Sequence, residues 1–249
     1  MLEVKGLTKR FGGVVAIDGL DMTIKQGEIV GLIGPNGAGK TTLFNLITGF
    51  LRPSKGKILF EKKDITGYKP HRIAAQGIIR TFQAANQFPD FTVQENIVVA
   101  CHLKPKVGIL EAMLHTPGSR KKREYALSRA NEVLKFTGLD TRKDQLAEEL
   151  SSGWRRALSV AIALAAKPRL LMLDEPVTTL DPERVAFIMN LITKLRESGV
   201  TVMVIEHNMK AIMDYCDRIV VLAFGKKIAE GSCEEIKQRK DVIAAYLGD

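Results

Sequence analysis

The sequence predicts an α/β fold with a mainly parallel sheet and an antiparallel sheet at its N-terminus. Three observations carry this. A glycine-rich loop, Gly34-Pro35-Asn36-Gly37-Ala38-Gly39-Lys40-Thr41-Thr42, stands between an apolar run at 29–33 and a helix-like run at 43–48. A second run without a polar residue, Leu170-Leu171-Met172-Leu173, ends in the paired acids Asp174 and Glu175. Apolarity at every position suits strands covered on both faces, as parallel strands are. Residues 2–11, by contrast, alternate apolar and polar side chains, the mark of a half-buried strand.

Composition narrows the class. The chain has 249 residues, enough for one large α/β domain or a core with a smaller appendage. Hydrophobic residues at 45% and charged residues at 26% argue against a disordered or fibrous chain. The formal charge of +9 favours polyanionic ligands or surfaces, although solvated Lys and Arg on helix faces account for most of it. Cys101, Cys216 and Cys233 lie far apart, which suits a reducing compartment and offers no metal site. Residues 1–5 lack the core and flanks of a signal peptide. The longest apolar runs, near 157–166 and 219–224, are too short to span a bilayer, so a soluble chain is expected.

Element by element, the strand at 2–11 turns at Gly12-Gly13 into a second strand at 14–24, broken near Asp18-Gly19. Tight turns between consecutive strands imply antiparallel pairing. Phe11, just before the turn, suits either stacking on a purine or a core or strand-end position. Gln26-Gly27 then leads into the strand at 29–33. Strand, glycine loop and helix together form a phosphate-binding P-loop. Its glycines let backbone N–H groups curl inward around phosphate oxygens, and the helix from Lys40 adds its positive dipole end. Lys40 supplies a charge for the β- and γ-phosphates, and the Thr41 hydroxyl is placed for Mg²⁺. Such a site is expected to bind a nucleoside triphosphate.

Gly49 and Pro53 stop that helix, 56–60 reads as a strand and 62–67 as a polar turn. A short helix at 71–77 ends at Gly77. Residues 78–83 read as a buried strand closing on Gln83, an amide able to meet a cation's water shell. Residues 92–101 are helical in pattern, and 124–137 form an amphipathic helix capped by Gly138. The basic run Arg120-Lys121-Lys122-Arg123 between them reads as a solvated face or linker, or as a contact for an anionic surface. Ser151-Ser152-Gly153 then precedes a helix at 157–166, offering either a plain N-cap or a second anion site.

The acids at 174 and 175 take meaning from the P-loop. An acid at this strand end holds Mg²⁺ in P-loop enzymes, and Glu175 can polarise a water as general base. Asp181-Pro182 opens a helix at 183–198, with Pro in its first turn. The buried strand 201–205 ends in Glu206 and His207. A lone His is more often structural, but one in the layer of these acids can reach a γ-phosphate. A helix at 209–215, a hairpin around Gly225 and a helical segment at 234–247 complete the chain.

Taken together, these motifs resemble the ATP-binding subunit of an ABC transporter over essentially the whole length. They stand in family order: aromatic A-loop residue Phe11, Walker A loop 34–42, Q-loop Gln83, signature Leu150-Ser151-Ser152-Gly153, Walker B Asp174-Glu175, D-loop Asp181 and switch His207. Within the family, Arg80-Thr81-Phe82-Gln83, Phe88-Pro89, Thr92-Val93-Gln94-Glu95-Asn96 and the ending Ala245-Tyr246-Leu247-Gly248 resemble LivG-type subunits of branched-chain amino acid importers.

The resemblance implies a single ABC ATPase domain, residues 1–249. It has a RecA-like P-loop NTPase core, an antiparallel β subdomain mainly within 1–30 and 56–66, and a helical subdomain at about 84–160. It implies ATP and Mg²⁺, with Glu175, His207, Lys40 and Gln83 as catalytic residues and Thr41, Gln83 and Asp174 serving the metal. ATP would lie between the Walker A loop of one subunit and Ser151, Ser152 and Gly153 of a second, with Asp181 joining the two sites. Implied partners are that second ATPase subunit, identical or different, transmembrane permease subunits docked near 82–91, and indirectly a solute-binding protein. The implied location is the cytoplasmic side of the membrane. Two positions depart from the family pattern: Trp154 stands where Gln is usual, and Ser152 where Gly or Tyr is. A transporter for urea or lipid, a soluble ABC ATPase acting on nucleic acid and a small-molecule kinase are the competing readings. The chain has neither the coiled-coil arms nor the second cassette of the nucleic-acid types, so no nucleic acid is expected, and a kinase gives the signature loop and His207 no role.

Overall fold

The computed structural model describes residues 1–81, 87–101 and 117–247; Phe82 and Gln83 lie outside the described residues. The chain divides into two compact units. One comprises Met1–Arg80, Arg169–Thr179 and Ile192–Asp249, the other Thr81–Pro168 and Leu180–Leu191.

The first unit holds two sheets. In the antiparallel one, strands β1 (Leu2–Phe11), β2 (Val14–Ile24), β4 (Lys55–Phe60) and β5 (Lys63–Asp64) run in the order β2-β1-β4-β5. Alternation in β1 and β2 buries Leu2, Val4, Leu7, Leu20, Met22 and Ile24. The break expected near Asp18-Gly19 is a bulge instead. Leu7 pairs with Leu20 but Lys9 with Ile17, so β2 carries one residue more than β1 there, and Gly19 takes the positive φ of 59°. The expected polar turn at 62–67 contains β5.

The second sheet has the order β10-β9-β3-β8-β7-β6, from β3 (Ile29–Ile33), β6 (Ile78–Arg80), β7 (Leu170–Asp174), β8 (Thr201–Ile205), β9 (Arg218–Ala223) and β10 (Lys226–Gly231). All neighbours pair in parallel except β9 and β10. Every residue of β3 and β8 is buried, as is β7 up to Leu173. The strand expected at 78–83 ends at Arg80 within the described residues. Helix α1 (Lys40–Ile47) follows β3, and α2 (Pro70–Ala75) precedes β6. Because β3, β8 and β7 are parallel, their C-terminal ends share one edge. Ile205 is in register with both Leu32 and Asp174. The loop after β3 and the acids after β7 are thus set two strand spacings apart, roughly 10 Å.

The second unit is helical: α3 (Val93–Cys101), α4 (Pro117–Thr137) and α5 (Ser152–Ala165), with the start of α6 (Pro182–Glu197). Ala126, Ala130, Val133 and Leu134 of α4 and Ala157, Leu158, Ala161 and Leu164 of α5 are buried, and Arg129 Nη2 donates to Leu164 O at 3.0 Å. Both helices begin earlier than periodicity indicated. The basic run 120–123 falls inside α4, and 152–156 inside α5, because their opening turns are too polar to show an apolar stripe. The C-terminal helical segment, in the first unit, is two helices after α7 (Met209–Tyr215): α8 (Cys233–Lys237), with a Ser232/Glu235 capping box, and α9 (Lys240–Leu247). Among the described residues no helix is long and apolar enough to cross a membrane.

Candidate functional site

Buried β3 drives the chain into the glycine loop, and packing fixes both of the loop's ends. A Cβ on Gly34 would stand 2.1 Å from Leu222 O, and one on Gly39, where φ is 102°, would stand 2.7 Å from Ala16 O. Gly37 differs: its φ of 79° disfavours a side chain, yet the space beside it is open. Gly225 N donates to Ala38 O at 3.1 Å and Asp18 N to Gly225 O at 2.9 Å, so the bulge in β2 and the β9–β10 turn brace the loop.

α1 begins at this loop with Gly39 as N-cap. No side chain caps it and no acid lies in its first turn. The first amides of a helix have no intrahelical acceptor, so this end offers unsatisfied donors and a positive dipole to an anion. Lys40 is only 7% exposed, with Nζ donating to Gly34 O at 2.6 Å and Pro35 O at 2.9 Å. Burial pushes its pKa down, while the Glu175 carboxylate acts the other way. Thr41 is exposed in the first turn. The loop is therefore a cradle with donors at its rim and no acid in the helix's opening turn.

At the same sheet edge Asp174 ends β7, and its Oδ2 accepts from Arg80 Nη2 at 2.6 Å. Glu175 follows with φ of 50°, a costly conformation for a non-glycine residue. Its N–H donates to Ile205 O at 2.9 Å, which holds it in that conformation. Glu175 Oε1 is 3.2 Å from His207 Nε2, and Oε2 accepts from Thr178 Oγ1 at 3.3 Å. Carboxylate and hydroxyl oxygens suit a hard cation. Among the described residues no cluster of three or more His, Cys, Asp or Glu side chains could hold a metal alone. A carboxylate and a hydroxyl fit Mg²⁺, which keeps waters and takes phosphate oxygens beside one or two carboxylates. Thr41 and Asp174 would hold it.

The first unit thus brings together the loop 34–42, Asp174, Glu175 and His207. Phe11, at the end of β1, is 47% exposed with Lys9 Nζ 4.9 Å from its ring centre, so it is no core residue. Gln83 lies outside the described residues.

The second unit carries Ser151, Ser152, Gly153 and Asp181, the residues expected to form the signature and D-loop. Ser151 is the exposed N-cap of α5, and its side chain caps no amide; no acid lies in the first turn. This repeats the electrostatic arrangement at α1. Gly153 is buried, and a Cβ there would stand 3.0 Å from Arg184 Cδ. Ser151, Gly153, Trp154, Asp181, Arg184 and Phe187 contribute to the lining of a cavity of about 410 Å³. Asp181 Oδ1 accepts from the Arg184 N–H at 3.0 Å, while Arg184 Nη1 lies 3.2 Å from Asp181 Oδ2 and 3.4 Å from Ser152 Oγ. Trp154 meets Phe187 edge-on, 5.0 Å between centroids, with the Arg142 guanidinium 4.5 Å from its ring centre.

Sequence reasoning gave three residues no role of their own. Glu206 is 1% exposed and accepts from the N–H groups of Val177 (2.7 Å), His207 (3.1 Å) and Asn208 (3.4 Å), tying the loop after Glu175 to His207. Its burial pushes its pKa up, against those donors. Arg184 links Asp181 to Ser152, and Arg80 holds Asp174. An arginine in a short, otherwise apolar strand and an acid directly after a fully apolar one were the available signal, since buried charges need partners.

Comparison with known proteins gives these geometries a family context. A family model described as ABC transporter matches residues 17–178. The chain is 41% identical over 250 residues to the high-affinity branched-chain amino acid transport ATP-binding protein BraF of Pseudomonas aeruginosa, covering 100% of this chain and 98% of that one. The same identity and coverage hold for LivG of Escherichia coli, which bears the corresponding description. The ADP conformation of an ATP-binding cassette of an ABC transporter superposes with a TM-score of 0.88 at 32% identity, covering 100% and 99% of the two chains. A dimeric cassette in a post-hydrolysis state bound to ADP and Pi gives 0.77 at 27% identity, covering 94% and 99%.

Proposed function

The chain belongs to the ABC transporter family, and on that premise we propose that it binds and hydrolyses ATP to power a membrane importer of branched-chain amino acids. The observation that carries the reading is the meeting, at one edge of a parallel sheet, of an uncapped helix N-terminus with Asp174, Glu175 and His207. The naming of full-length relatives supports the solute class.

In this reading the amides at the start of α1 and Lys40 grip the phosphates, and Phe11 stacks on the base. Thr41, Asp174 and Gln83 would hold Mg²⁺, which would supply positive charge against the phosphate oxygens. Glu175 orients the attacking water as general base, and His207 holds both Glu175 and the γ-phosphate. The contribution is positioning and electrostatics rather than covalent chemistry. A second cassette, identical or different, completes each site: Ser151, Ser152 and the Gly153 N–H of one subunit meet the γ-phosphate held on the other. The uncapped start of α5 supports this, and Asp181 joins the two sites. The permease docks near 82–91, where Phe88 and Phe91 are 49% and 40% exposed with rings 5.1 Å apart. The subunit thereby sits on the cytoplasmic face of the membrane, and a solute-binding protein delivers the amino acid from the other side.

The test is co-purification with permease subunits and reconstitution in vesicles. ATPase activity should rise when leucine, isoleucine or valine is supplied with the binding protein. An assembled complex whose activity ignores all three rejects the proposed solute class.

A further inference from the structure

Besides Lys40, a further cation is built into the edge that would receive Mg²⁺. Arg80 ends β6, in register with Met172 of β7. Its Nη2 donates to Asp174 Oδ2 at 2.6 Å, its Nη1 to Asn45 Oδ1 at 2.6 Å, and its guanidinium lies 5.5 Å from the centre of the Phe44 ring. Asn45 and Phe44 belong to α1, the helix that opens at the phosphate loop. The Arg80 and Asp174 side chains are 6% and 12% exposed, so salt screens their charges little. Three elements thus hold a positive charge against one oxygen of the aspartate.

We propose that Arg80 is a positioning residue that sets the charge Asp174 presents to Mg²⁺ and so tempers the metal's affinity. The proposal rests on the reading of Asp174 as serving the metal. A carboxylate paired with a guanidinium presents to a cation little more than a dipole where a free carboxylate would present a full charge. In a partly dry site the repulsion between guanidinium and metal is also weakly damped. The fixed pair still orients the carboxylate through its Oδ2. The ion pair therefore exchanges metal affinity for orientation.

The experiment titrates Mg²⁺ at fixed ADP on the full chain, reading ADP binding with and without chelator. Arg80→Gln keeps a donor for Asp174 and Asn45 but loses the charge, whereas Arg80→Lys keeps the charge. Arg80→Gln should lower the half-saturating Mg²⁺ concentration about tenfold, the scale of one unit charge acting at a partly buried site. ADP affinity in chelator should stay as in the wild type, and Arg80→Lys should lie near the wild-type midpoint. In an Asp174→Asn background the Arg80→Gln shift should be clearly smaller, leaving only the part due to direct repulsion between guanidinium and metal. If Arg80→Gln does not melt cooperatively, Arg80→Met, equally neutral and apolar against Phe44, serves the same comparison. An unmoved midpoint in the neutral variant, or equal rises in Arg80→Gln and Arg80→Lys, reduces Arg80 to a structural tie and overturns the proposal. A midpoint indifferent to Asp174→Asn alone overturns the metal role of Asp174 instead, and the proposal with it.

Discussion

His207 Nε2 lies 3.2 Å from Glu175 Oε1, although the two residues follow different strands, β8 and β7. The contact is held from behind. The Glu175 N–H binds Ile205 O, and Glu206 binds the His207 N–H. A carboxylate so fixed can aim a water without reorganising during the reaction.

Glu175→Gln keeps the shape and loses the basicity. Turnover should fall about 100-fold or more, the usual scale for loss of a general base. The variant should also accumulate as an ATP-bound dimer on gel filtration. A fully active, monomeric Glu175→Gln protein rules out the general-base role.

Gly39→Ala sets a methyl group 2.7 Å from Ala16 O in a backbone conformation at φ of 102°. Strain and overpacking together should cost about 2–4 kcal/mol and abolish ADP binding. At Gly37, with open space beside it, the same change should cost only about 1 kcal/mol. Urea unfolding and ADP titration of both variants separate packing from conformation.

Glu206 gives stability a pH dependence of definite sign. Its folded pKa is raised above 4.5 by burial, so the native state holds that proton more tightly than the unfolded chain does. Stability from this group therefore falls as pH rises from about 4.5 through the raised value. Glu206→Gln should remove that slope while leaving the rest of the pH profile in place, as followed by urea midpoints between pH 4.5 and 8. A slope unchanged by the substitution contradicts the assignment.

Trp154→Gln removes an aromatic edge contact and a cation–π contact, and should cost about 1–2 kcal/mol of stability. ATPase activity of the assembled transporter should change while ATP affinity of the isolated subunit does not. An unchanged rate in the full assembly means that Trp154 only packs.

If two subunits share each ATP, specific ATPase activity should fall steeply on dilution and recover on concentration. A dilute monomer as active per molecule as a concentrated sample excludes a shared site.

Local chemistry was legible in the sequence wherever it depended on neighbours along the chain. The glycine loop between a buried strand and a helix, the apolar runs at 29–33, 170–173 and 201–205, and the alternation in 2–11 each state their own conformation. Elements failed to show where their residues were polar all round. The early turns of α4 and α5 carry no apolar stripe, and the bulge at Asp18-Gly19 looked like a break because only a partner strand distinguishes the two.

Burial of the strands at 29–33, 170–173 and 201–205 and the phosphate-cradling loop could be read from the chain alone, since spacing and side-chain size settle those within a few residues, whereas the strand at 78–80, also expected to be buried, is only partly so. Only the tertiary structure decided that Asp174 stands level with Leu32 across Ile205, that Arg80 grips that aspartate from β6, and that Glu206 ties Val177 to His207. Those relationships depend on strand order and register. Packing of the whole sheet selects both, and no local periodicity encodes them.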